Sequence, residues 1–391
     1  VSKRTHYALY FADDKDLHDL LSAAKQRVTI AKLLELARSR GLCLSASESR
    51  ESLVAQIARL PHGWHELVAL WDATDSAERR EKLSSCKLAG GFSGKDIFDA
   101  AEMVKDDRLG DRGEVYDIQQ LEKVVRVTVK YSDLDTSKTR LAQRNQREFT
   151  IEFEKVDGGF RVRHEAQERA HEVLAAIEDV LTKATPGTAD TTRVNVELGA
   201  IRKPAQRTAF FLKLIKGLSG FTLEDVKAVR GSRLSKASDE EESEQTEGEE
   251  HVDDEREEFD AEEASFVTEV KRIALHGDGI LGSPQYKQLF EHAFFVSSIV
   301  WTSTETTPDG VRAEFDASFS NPEEGTGFTY AVRKLWERGT SGELKKGKAS
   351  PAKVREDKRL VRLLEEAAHA AMTEVVAESI APPAGNGDGA P

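Results

Sequence analysis

The spacing of apolar residues changes period partway along the chain. From residue 14 to about 108 they recur at three and four, the spacing of helices that bury one face. Asp14 to Ala24 sets Leu17, Leu20 and Leu21 on one stripe. A second helix is predicted from Val28 to Arg40, ended at Gly41, where a left-handed backbone meets no Cβ clash. A third runs from Ser49 to Leu60 and stops at Pro61, a fourth opens at His62-Gly63-Trp64, and a fifth covers Lys95 to Lys105.

Beyond that the period becomes two, which puts one side of a strand against a core. Val124–Tyr131, Glu148–Lys155 and Phe160–Arg163 read as strands, the last two joined by a tight turn at Asp157-Gly158-Gly159. A helix follows from Glu165 to Lys183. Then come a strand (Thr191–Leu198), a helix (Gln206–Leu218) and a strand (Phe221–Val229). Further strands are expected at Ser265–Leu275, Phe294–Thr304, Val311–Phe319 and Phe328–Trp336, with a short helix from Ser283-Pro284 and a long one from Lys353 to about Val376.

The expected fold class is α+β: an all-helical N-terminal domain, then a mostly antiparallel sheet with packed helices, interrupted by a disordered acidic segment. The expected boundaries are 1–110 (helical), 111–236 (α+β), 237–263 (acidic linker), 264–378 (an α+β segment able to complete the preceding one) and 379–391 (a Pro- and Gly-rich tail). Strand and helix alternation around Thr191–Val229 leaves a parallel pair open.

Composition narrows the setting. Of 391 residues 39% are apolar and 32% charged, no run of eighteen apolar residues occurs, and Val1–Ala12 turns acidic too soon for a signal peptide. A soluble cytoplasmic protein without a membrane partner is expected. Cys43 and Cys86 lie in segments that read as helical, with no CxxC nearby, so they are read as packing residues rather than a disulfide or zinc site.

Charge changes the picture more. The net charge is −14, yet Asp239 to Glu263 holds sixteen Asp or Glu against Arg256 alone, so the remainder sums to +1. With few apolar residues to offset ordering entropy, that stretch is expected to stay disordered, as a linker or a mimic of polyphosphate.

Thr29 to Ile57 reads TIAKLLELARSRGLCLSASESRESLVAQI: a helix, a Gly-Leu stop, an extended loop and a second short helix. Through Leu33, Leu36, Gly41-Leu42, Leu53 and Val54, the segment 28–60 resembles the SAP and helix-extension-helix modules, small helical pairs that commonly bind DNA or RNA. Where those modules have a loop glycine and a lysine two residues before an acid, this chain has Ala46-Ser47 and Arg50 directly before Glu51. The resemblance implies nucleic-acid contact.

Lys25 to Leu60 carries seven Lys or Arg against three Glu, from which Lys32, Arg38, Arg40 and Arg50 are candidate phosphate contacts. Lys138, Arg140, Arg144 and Arg147 form an acid-free stretch read as a loop. Arg202 to Lys236 carries nine cations against two acids, with Arg202, Lys203 and Arg207 as candidates, and Arg333 to Arg362 carries eleven against four, with Lys345, Lys346 and Lys348 on a glycine-flexed loop.

Catalytic patterns are weak. His62, His65 and Glu66 lack HExxH spacing, His276–Ser283 is glycine-rich without a Gly-Lys-Ser, and no Gly-x-Ser-x-Gly elbow occurs. His164 and His171 read as seven apart on one helix face, and the aromatic residues from Phe294 to Trp336 as mainly core. Asp225-Val226-Lys227 resembles the Asp-x-Lys of metal-dependent nucleases.

The reading is therefore a non-enzymatic nucleic-acid-binding or adaptor subunit of a multi-protein assembly, with DNA or RNA and other protein subunits as partners and no cofactor. A prokaryotic phage-defence or DNA-processing system fits the domain mosaic. The alternatives are a protein-interaction scaffold and a diverged metal-dependent nuclease.

Overall fold

The computed structural model describes residues 12–74, 81–108, 114–184, 192–234, 272–277, 279–291, 293–307, 310–336 and 354–380. The acidic stretch Asp239–Glu263, the expected strand up to residue 271 and the tail lie outside the described residues. The chain is α+β, and every described strand pair is antiparallel, including those around Thr191–Val229. It divides into two compact units, neither of them one continuous stretch: the first takes 1–81, 91–155 and 167–190, the second 82–90, 156–166 and 191–391.

In the first unit, α1 (Asp14–Ala23), α2 (Ile30–Ser39), α3 (Arg50–Ala58) and α4 (Trp64–Thr74) bury the apolar stripes that their spacing predicts, with Leu21, Leu33, Leu53 and Leu70 at the centre. Asp13 and Asp16 close a reciprocal cap at the start of α1, and Ser49 Oγ accepts from Ser52 N at the start of α3. Gly41, at φ +74, ends α2 as its sequence predicts. The rest of this unit is β2 (Val115–Gln120), β3 (Val124–Leu134) and β4 (Arg144–Val156), paired in that order, with α5 (Gly94–Arg108) and α6 (Glu168–Ala184).

One segment expected to be helical is a strand. β1 (Leu83–Ala89) belongs to the second unit, pairs with β5 (Gly159–Glu165), β6 (Thr192–Asn195) and β11 (Thr326–Trp336), and carries Cys86 buried in the sheet. Its alternation is blurred because it buries residues on both faces. Cys43 lies in the extended loop after α2, exposed, rather than in a helix. β5 and β1 approach so closely that a Cβ on Gly159 would lie 2.2 Å from the Leu88 carbonyl oxygen, which only glycine permits.

The second unit's sheet runs β5, β1, β11, β10 (Arg312–Asn321), β9 (Phe294–Glu305), β7 (Phe221–Arg233) and β8 (Arg272–His276), with β6 beside β1. Helices α7 (Pro204–Lys216), α8 (Pro284–Glu291) and α9 (Val354–Ile380) contribute to one apolar core with Trp301, Phe315, Phe319, Phe328 and Tyr330, the aromatic core that strand spacing predicts.

Candidate nucleic-acid interface

In the first unit most of the predicted phosphate-binding cations are engaged with the protein itself. Arg50 donates from Nε to the Val28 carbonyl (3.3 Å) and from Nη2 to the Leu21 carbonyl (2.6 Å), stapling α3 to the preceding turns. Arg40 donates to the Pro61 carbonyl and, from Nη1, to His62 Nδ1 at 3.2 Å. His62 Nε2 in turn donates to the Ile57 carbonyl at 2.8 Å. Those two bonds define the neutral tautomer, and burial holds this imidazole below the usual histidine value. Lys32 pairs with Glu35 at 2.9 Å, while Arg38 is exposed.

The next cluster is not one loop: β4 begins at Arg144, so Arg144 and Arg147 are strand residues. Lys138 pairs with Asp135 at 3.1 Å, Arg140 with Asp16 at 2.5 Å and Arg147 with Asp133 at 3.4 Å. The side chain of Arg144 lies outside the described residues.

In the second unit Arg202 and Lys203 are exposed ahead of α7, whose N-cap is Lys203. Arg207 is 1% exposed. It donates to the carbonyls of Ile201 (2.8 Å), Pro322 (2.6 Å) and Glu323 (2.8 Å) and lies over the Phe295 ring. It ties α7 to the β10–β11 turn and has no access to a ligand. Lys345, Lys346 and Lys348 lie outside the described residues.

A different set of cations converges on the sheet face opposite α7 and α9. Side chains alternate along a strand, so the residues between Ala313, Phe315, Ala317 and Phe319 point away from the apolar core. They are Glu314, Asp316 and Ser318. Register carries this polar character across four strands, with Arg230 opposite Ser298, Ser298 opposite Ser318, and Ser318 opposite Thr329.

Asp316, its side chain 1% exposed, organises the centre. Lys82 Nζ approaches its Oδ1 at 2.9 Å and donates to Ser318 Oγ at 2.8 Å. Arg333 donates from Nε (2.9 Å) and Nη2 (2.8 Å) to Oδ2. The Ser318 and Thr329 hydroxyls lie 3.0 Å apart. Burial holds the Lys82 ammonium below the usual lysine value against the pull of Asp316, and Arg333 and Arg230 both lie close enough to lower it further. Arg230 is exposed and makes no ion pair among the described residues.

Further along this face, among the described residues, two ion pairs form. Glu224 meets Arg312 at 2.6 Å, and Glu314 meets Lys334 at 3.1 Å. Lys82 and Arg333 share the one Asp316 carboxylate, and Arg230 lies across Ser298 from Ser318 in register and near enough to act on Lys82, so among these four groups the positive charges exceed the negative by two. Arg230 and Arg333 fall inside basic runs visible in the sequence, but Lys82 does not, and Asp316 is detectable only from the alternation in β10.

The other candidate chemistries are committed elsewhere. Asp225, whose carboxyl is held below its usual value although burial opposes this, accepts from Lys227 (2.8 Å), Gly279 N (3.0 Å) and Val226 N (2.8 Å) at an irregularity in β7. Those bonds fix the β7 backbone. His164 lies in β5 and His171 in α6, so they share no helix face. Among the described residues no three His, Cys, Asp or Glu gather as metal ligands, and no helix is long and apolar enough to cross a membrane. No protein-family model matches this chain, and no curated protein matches it.

Proposed function

We propose that this chain binds nucleic acid through phosphate contacts on the polar face of the second unit's sheet. The observation that carries the reading is the pairing of Lys82 and Arg333 on one buried carboxylate, with serine and threonine hydroxyls beside them and the exposed Arg230 two strands away on the same face. Arginine forks and a lysine ammonium are the donors that phosphate oxygens take, and hydroxyls add neutral donors. The core aromatics Trp301, Phe315 and Phe328 are sealed within the unit and offer no stacking platform for bases. Contact to the backbone rather than to bases gives affinity without strong sequence preference. Arg202 and Lys203 of the same unit are also exposed, ahead of α7.

The test is fluorescence anisotropy of labelled single- and double-stranded oligonucleotides across a sodium chloride series. Binding should weaken steeply with salt, and Arg230→Glu with Arg333→Glu should reduce the slope of log K against log salt by about two. Arg38→Glu should change affinity far less. No binding by the intact chain at low salt would refute the reading and leave the protein-interaction alternative.

A further inference from the structure

Resting on the proposal that this face binds nucleic acid, we propose more narrowly that the Lys82–Arg230–Arg333 cluster is a seat for a terminal phosphomonoester of a strand, in preference to internal phosphodiesters.

Among Lys82, Arg230, Arg333 and Asp316 the positive charges exceed the negative by two. A phosphodiester carries one negative charge, whereas a terminal phosphate carries close to two at neutral pH, with its second ionisation near pH ~6. The monoester matches the cluster; the diester leaves a cation uncompensated.

Extended tracking of a backbone calls for cations in a row, spaced as the phosphates are. Here Lys82 and Arg333 crowd together, because they take opposite oxygens of one carboxylate. Asp316 thereby works as a positioning residue that holds two donors side by side without capping them. Lys82 has directed donors to Asp316 and Ser318, and an ammonium has a third. Arg333 has used one edge of its guanidinium on Asp316, and the other nitrogen lies beyond that edge. Arg230 has its whole fork available.

Exposure grades in the same order. The Lys82 side chain is 33% exposed and that of Arg333 46%, so the ammonium is the less solvated of the two donors. A partly desolvated ammonium gains more from a doubly charged partner than from a singly charged one. The paired Glu224–Arg312 and Glu314–Lys334 further along the face add no surplus to extend the track.

The experiment compares identical oligonucleotides ending in 5′-phosphate, 3′-phosphate or hydroxyl, with the full chain, at pH 7.5 and pH 5. A terminal phosphate should raise affinity about tenfold at pH 7.5, and most of that advantage should vanish at pH 5, where the group carries one charge. Arg230→Gln, which breaks no bond of the fold, and Arg333→Gln, which leaves Lys82 on Asp316, should each abolish the advantage while circular dichroism stays unchanged.

Equal binding of phosphorylated and hydroxyl ends, both weakened by Arg230→Gln, would overturn this inference and leave the broader reading standing. Absence of binding to every oligonucleotide at low salt would overturn both. A nucleoside 5′-monophosphate or inorganic phosphate that displaces the oligonucleotide at its own concentration would show a seat for free phosphate and overturn the assignment to strand ends.

Discussion

Arg207 and Arg230 look equivalent in the sequence, two arginines within one basic run, and they do opposite things. Arg207 spends its guanidinium on three carbonyl oxygens and is sealed from solvent, whereas Arg230 ends in water. Replacing Arg207 by Met keeps volume but strips donors from the Ile201, Pro322 and Glu323 carbonyls. A loss of about 3 kcal/mol is expected, read from the urea midpoint, with nucleic-acid affinity of the folded fraction unchanged. Lysine should not rescue it, because a point charge cannot span three acceptors as a planar fork does. Arg230→Gln should show the reverse, unchanged midpoint and weakened binding. Sequence composition put both in one basic run and picked out Arg207, not Arg230, as a candidate contact; only burial shows the difference. The same holds for Arg50 and Arg40, whose carbonyl partners lie more than twenty residues away along the chain and are therefore invisible to any local pattern.

At the scale of elements, periodicity located the helices of the first unit and the aromatic strands of the second because each buries a single face. It failed at β1, whose Cys86 and Leu88 are buried on one face while Ser85 is buried on the other, so no alternation survived. That failure hid Lys82, one of the cations of the candidate site. The long-range pairing that docks α9 was equally illegible. Glu365 accepts from Arg163 Nε (2.6 Å) and Nη2 (2.7 Å) and from the Tyr330 hydroxyl, joining α9 to β5 and β11. Its side chain is almost fully buried and that of Arg163 nearly so, so removing one partner leaves an uncompensated charge in a poorly solvated place. Glu365→Gln should therefore cost about 3 kcal/mol in urea unfolding. The double change with Arg163→Gln should recover part of that loss, since both charges are then gone. Strict additivity of the two single changes would show that the pair does not act as a unit.

At the scale of the whole molecule the net charge of −14 argues against a polyanion ligand until its distribution is considered. Removing Asp239 to Glu263 takes the chain to +1, and that stretch is joined to the very strand that carries Arg230. Asp239 follows Arg230 by nine residues, so even a fully extended tether keeps the first acid within about 30 Å of the cation. Fields from fifteen net negative charges reach that far only where salt is dilute, since the screening length is ~10 Å at 0.1 M and ~30 Å at 0.01 M. Deletion of 239–263 should therefore strengthen oligonucleotide binding most at low ionic strength, by about tenfold at 20 mM salt, with the gain shrinking towards nothing near 1 M. Replacing the sixteen acids by their amides at constant length should reproduce the gain, because the argument concerns charge and not the number of residues. A gain that survives 1 M salt, or one produced by deletion but not by amides, would mean that the stretch acts by occupying space, and the electrostatic account would fail.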